Sequence, residues 1–146
     1  MPKVSRFLRA HWLEAVVHEP EEIDEKLRAS AKYRDWQKAQ LGREVILYCD
    51  GLTVVDRKQG FKKQAVMRWR LRPDEGFNIW ELREDGVENA AFRIKITATH
   101  SITGMRLVQG WESRYYHKKT PAPVLEVIFT SREKVEITTV ISQRPQ

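Results

Sequence analysis

Between Trp111 and Thr120 the chain reads WESRYYHKKT, and nowhere else do aromatics, a histidine and several basic groups crowd together. Trp111, Arg114, Tyr115, Tyr116, His117, Lys118 and Lys119 are the side chains whose types and spacing suit binding chemistry. An aromatic face stacks on the apolar face of a sugar ring. An arginine grips a carboxylate or sulfate with a two-pronged hydrogen bond, and a lysine adds a point charge. The competing reading is structural. Trp111 and one tyrosine would plug the corner of a β-sandwich, and the basic groups would simply be solvated.

Other chemistries find less support. The sequence has no nucleophile-elbow pattern, no reactive-cysteine motif and no glycine-rich phosphate loop. The single Cys49 has no disulfide partner within the chain and no second cysteine for a zinc site. Of the four histidines, His11 and His18 stand seven apart with Glu14 between them. A metal would need more ligands to converge, and surface histidines are the simpler reading. No metal or cofactor is expected.

The composition points to a folded domain that prefers anions. The chain has 146 residues, enough for one domain with a real core. Its net charge is +6. Residues 1–42 hold eight Lys/Arg and seven Asp/Glu, leaving eighteen and thirteen in 43–146. A basic surface attracts polyanions without naming which one. No apolar run approaches membrane-spanning length and no signal peptide is legible, so the expected setting is cytoplasmic, with no membrane contact.

The elements that must position the aromatic–basic segment read as mostly strands. Val4, Leu8, Trp12 and Val16 recur every four residues, as do Ile23, Leu27 and Ala31, and Glu19-Pro20 interrupts the run. This spacing predicts two helices over 5–41, ended by Gly42. From Arg43 the period changes to two, with Asp50-Gly51 and Asp85-Gly86 as turns. About eight short strands over 43–146 imply an antiparallel β-sandwich, the expected fold class being mainly β with a short helical N-terminal segment over 1–42. Phe77–Leu82 reads as one of these strands, and Cys49 as a filler in or beside an apolar strand. Val124, Glu126 and Ile128 fall on one face of a strand, and Leu125, Val127 and Phe129 on the other. Val135, Ile137, Thr139 and Ile141 follow after a polar turn, so Leu125–Ile141 is a hairpin candidate, with Trp111–Thr120 as the loop before it.

The same region carries a resemblance. Gly110-Trp111, Ser113, Tyr116, Lys118, Pro121, Pro123-Val124-Leu125 and Thr138-Thr139-Val140-Ile141 resemble the end of the C-terminal β-sandwich of heparinase II/III-like polysaccharide lyases. Arg43–Asp56 resembles the opening strands of that sandwich, and Met67–Pro73 the strand that follows. In the resembled family most of the catalytic set comes from a helical toroid ahead of the sandwich. The forty-two residues before Arg43 are too few to build one. The resemblance therefore implies a stand-alone sandwich that binds an acidic polysaccharide or docks to a separate catalytic chain, and no catalytic residue carries over. Two alternatives stay open. One is a small lyase acting by β-elimination on uronates through Tyr115, Tyr116, His117 and Lys118. The other is a basic nucleic-acid-binding module in which Tyr and Trp stack on bases.

Overall fold

The computed structural model describes residues 14–23, 26–34, 39–61, 64–72, 79–130 and 134–145, with backbone alone for 14–23, Lys26, Tyr33 and Arg114. The described residues form eleven strands: β1 (Glu14–Ile23), β2 (Lys26–Arg34), β3 (Gln40–Tyr48), β4 (Gly51–Gln59), β5 (Ala65–Arg70), β6 (Glu81–Arg83), β7 (Gly86–Glu88), β8 (Phe92–Ala98), β9 (Gly104–Tyr115), β10 (Lys118–Phe129) and β11 (Val135–Gln143). They build an eight-stranded sheet, ordered β1-β2-β3-β4-β11-β8-β7-β6, and a three-stranded sheet, β5-β10-β9. Every pairing is antiparallel.

The core lies between the two sheets. Leu125, Val127 and Phe129 of β10 meet Ile94, Ile96, Val135 and Ile137 of the larger sheet, with Val87, Leu71 and Trp80 closing the cluster. Alternation of apolar residues at spacing two puts these side chains on one face of each strand. Met67, Trp69, Met105 and Leu107 extend the core along the flanking strands. Burying side chains of this size stabilises the fold by roughly 1.5–3 kcal/mol each.

The antiparallel sandwich agrees with the alternating pattern, and the turns at Asp50-Gly51 and Asp85-Gly86 fall where their sequence places them. The described part of 5–41 does not form the expected helices. Residues 14–23 and 26–34 are strands, and the rest of the first expected helix lies outside the described residues. The reason is geometric. Residues four apart share a face in a helix and also in a strand, so Leu27 and Ala31 fit either period. Pro20 breaks no helix. It stands at the register shift between His18 and Glu21, where an edge strand tolerates a residue without an N–H. Gly42 sits inside β3, which runs through the expected boundary near residue 42.

The Leu125–Ile141 hairpin is also corrected. β10 lies between β5 and β9, and β11 lies between β4 and β8 in the other sheet. Alternation assigns faces to a strand but does not name its partners. Part of Phe77–Leu82 lies outside the described residues, and the strand there covers only Glu81–Arg83. Cys49, read as a core or near-surface filler, is an exposed turn residue directly after β3, which excludes the core alternative.

Candidate functional site

Trp111–Thr120 is a β-hairpin and not a loop. β9 runs on to Tyr115, Tyr116 and His117 form the turn, and β10 starts at Lys118. Tyr115 pairs with Lys118, yet Glu112 pairs with Thr120, so β9 carries one extra residue and a bulge. The Ser113 hydroxyl donates to the Tyr115 carbonyl at 2.9 Å within that bulge. His117 takes the left-handed conformation, with φ of 64°, at the second turn position. Its ring lies 3.9 Å from that of Tyr116, centroid to centroid, edge to face.

The hairpin aromatics do not plug the sandwich. Trp111 is 56 % exposed, Tyr115 70 % and Tyr116 90 %. Lys118 and Lys119 are exposed beside them, and the Arg114 side chain lies outside the described residues. Next to them along β10, Ala122, Pro123 and Val124 are buried. Pro121 and Pro123 stand opposite Trp111 and Gln109, so β10 stiffens the strand that bears the tryptophan.

At the root of the hairpin an open cleft of about 580 Å³ is lined by Arg70, Leu71, Arg72, Trp111, Glu112, Ser113 and Ala122. The backbone places β5 there through register, with Arg70 opposite Val124 and the Leu71 N–H donating to the Pro123 carbonyl at 2.9 Å. Beside the cleft, Gly110 pairs with the lining residue Ala122. Gly110 approaches Val124 so closely that an added Cβ would lie 2.5 Å from its methyl group. The structure thus brings Trp111 together with Arg70 of β5 and Arg72 just beyond it, which the sequence reading did not select. The signal was present as the Arg68–Arg72 alternation, but only strand pairing carries it to Trp111. Tyr115, Tyr116, His117, Lys118 and Lys119 do not line the cleft. They sit farther out, at the tip.

Farther along the strands, on the outer face of the three-stranded sheet, Glu126 is held between two arginines. Arg68 Nε donates to one carboxylate oxygen at 2.8 Å and Arg106 Nε to the other at 2.7 Å. These hydrogen bonds hold the Glu126 carboxyl below the usual carboxylate range. On the inner side Arg43 makes a two-pronged bond to buried Asp56, at 2.6 and 2.9 Å, and lies 5.3 Å over the Trp69 ring. The bond to Asp56 raises the affinity of Arg43 for its proton. Both arrangements are structural ion pairs. Among the described residues no cluster of three His, Cys, Asp or Glu has the placement a metal ion needs.

No protein-family model matches the chain. No curated protein matches it either. Solved structures do. A heparinase III crystal structure aligns with 88 % of this chain and 21 % of its own, at 13 % identity and a TM-score of 0.73. A mutant heparan sulfate lyase from Pedobacter heparinus aligns with 91 % of this chain and 22 % of its own, at 14 % identity and a TM-score of 0.70. A further heparinase III gene product gives 90 %, 22 %, 15 % and 0.69 in the same order. The chain spans about a fifth of the length of these proteins. It is a β domain with the fold of that fifth of the heparinase III lyases.

Proposed function

We propose that this β domain binds an acidic polysaccharide along the β9–β10 hairpin. The observation that supports this is the exposed aromatic and basic side of the hairpin, rooted in a cleft that joins Trp111 to Arg70 and Arg72. A sugar ring stacked on an indole gains apolar contact, while guanidinium groups beside it satisfy a uronate carboxylate or a sulfate. The tip lysines add long-range attraction that salt weakens. Titration of the protein with heparin, alginate, a neutral glucan and duplex DNA, at low and moderate salt, tests the reading. Tight binding of one acidic glycan that survives moderate salt is expected, with Trp111→Ala weakening it about tenfold. At 56 % exposure the same change shifts stability by no more than about 0.5 kcal/mol. Equal, salt-erased binding of every polyanion would defeat the reading.

A second reading is docking to a separate catalytic chain, and a different surface favours it. The eight-stranded sheet extends past the three-stranded one. On its inner face Leu27 and Leu47 of β2 and β3 are exposed and directly opposite each other by register, with exposed Leu41 farther along the same face of β3. Apolar side chains grouped in this way suit burial against a protein partner. Co-purification of a lyase catalytic chain that is lost in a Leu27→Lys/Leu47→Lys variant, but kept in Trp111→Ala, would select this reading over the first.

A further inference from the structure

The outer face of the larger sheet holds a basic cleft far from the hairpin in the fold. Antiparallel register lines up Lys32, Gly42, Arg57 and Glu136 in one row across β2, β3, β4 and β11. The next row holds Arg34, Gln40 and Gln59. Lys134, just ahead of β11, lines the same end. All of these except Glu136 line a cleft of about 610 Å³. Its floor is Gly42. A Cβ added there would meet only the Lys32 Cγ at 3.8 Å and the Arg57 carbonyl oxygen at 4.0 Å, so the trough exists because that position has no side chain.

Among the described lining residues basic side chains outnumber the single carboxylate, Glu44. Lys32, Arg34, Arg57 and Lys134 stand in two adjacent rows, about 7 Å apart along the strands and about 4.8 Å apart across them. One carboxylate, Glu44, lines the cleft itself, and Glu136 stands beside it; both are engaged by arginines. Glu136 accepts from Arg57 Nε at 2.8 Å, and Glu44 accepts from Arg28 at 3.1 Å. That contact fixes the Arg57 guanidinium and leaves its two terminal nitrogens for a ligand. Arg28 shares this face and is paired with Glu44, whereas Arg43 and Lys58 belong to the opposite face. Arg43 is bound to Asp56, and Lys58 lies against Phe61 and Phe129. None of the described lining residues is aromatic, so the cleft offers charge and hydrogen bonds without a stacking platform.

We propose that the Gly42 cleft is an anion site for sulfate or phosphate groups carried close together on one small molecule. Spaced cations over a glycine floor let tetrahedral oxyanions approach the sheet, where Lys supplies point charge and Arg a directed pair of donors. The site shares no residue with the hairpin, so it stands or falls apart from the glycan reading.

Calorimetric titration with inorganic tripolyphosphate and with sucrose octasulfate, beside uncharged sucrose, tests it. Binding of at least one charged probe at low salt is expected, with none of sucrose. The probe that binds more tightly identifies phosphate or sulfate as the source. Lys32→Ala/Arg57→Ala is expected to weaken that binding about tenfold. Gly42→Val keeps every charge but fills the floor, and is expected to weaken it by a similar factor. Thermal melting accompanies each variant. Should Gly42→Val melt early, the double alanine variant, on the solvent face, decides the matter. Failure of both probes to bind would overturn the proposal. So would wild-type affinity in the double variant, or loss of binding in Trp111→Ala instead.

Discussion

Lys58 is the side chain whose surroundings suit its charge least. It is 4 % exposed, and its ammonium has no hydrogen-bond partner among the described residues. It lies 5.1 Å over the Phe129 ring and 5.5 Å over Phe61, which returns part of the lost hydration as cation–π attraction. Burial pushes its pKa below the usual 10.5. The unfolded chain therefore keeps this proton to higher pH than the folded one does. Stability gains from Lys58 as pH rises through the window between the lowered value and 10.5. Lys58→Met retains the aliphatic stem and removes the desolvated charge. Its melting temperature at neutral pH should rise by about 3 °C. Calorimetry at neutral and alkaline pH checks this, with the gap between variant and wild type narrowing at alkaline pH. A lower melting temperature for the variant would show that the ammonium is net stabilising.

The three-stranded sheet is held on its outer face by a charged row, Arg68–Glu126–Arg106, one residue from each strand. Glu126 is nearly buried under the two arginine stems, so its carboxylate joins β5, β10 and β9. Its folded pKa lies below the ordinary 4.5, so its contribution is complete above that pH. It is lost as pH falls through the lowered folded value. Urea unfolding followed from neutral to acid pH should show this loss in the wild type. Glu126→Gln should be less stable at neutral pH and should show a shallower acid slope. The start of β7 is constrained as tightly by its backbone. Gly86 has φ of 155°, and a Cβ there would lie 1.9 Å from the Ile94 carbonyl oxygen. Gly86→Ala should therefore cost at least ~2 kcal/mol, because both the backbone and the β7–β8 pairing resist it. Chemical denaturation measures the cost, and a neutral result would mean the turn has a second conformation available.

The two sheets differ in width, and that difference sets what the molecule offers to partners. The three-stranded sheet covers the part of the larger sheet around β11 and β8, where Val135, Ile137, Ile94 and Ile96 are buried. Beyond β4 the inner face continues as Leu41, Leu47 and Leu27, which stay exposed. The Arg43–Asp56 pair and the Trp69 ring form the border between the covered and the open parts. Leu27→Lys/Leu47→Lys should leave the melting temperature within about 2 °C of wild type, because the side chains bury little in this chain. The same variant should bind less of a hydrophobic dye such as anilinonaphthalene sulfonate. Unchanged dye binding would place the apolar surface elsewhere.

The alternating runs by themselves determined that residues 43–141 are strands of a sandwich and which side chains of β10 face the core. This is legible because side-chain direction alternates with a period of two whatever the partner strand. The aromatic and basic character of Trp111–Lys119 was equally plain in the sequence. The tertiary structure alone decided three further matters. It made 14–23 and 26–34 strands, since a spacing of four suits both a helix and a strand. It separated β10 from β11, because each already has two hydrogen-bonded neighbours in its own sheet. It also carried Arg70 and Arg72 to Trp111, and Lys32 and Arg57 to Gly42, across strand pairs whose register no local pattern specifies. Local sequence sets the face a side chain occupies. Pairing between distant strands sets which side chains share that face, and the candidate sites are made of such neighbours.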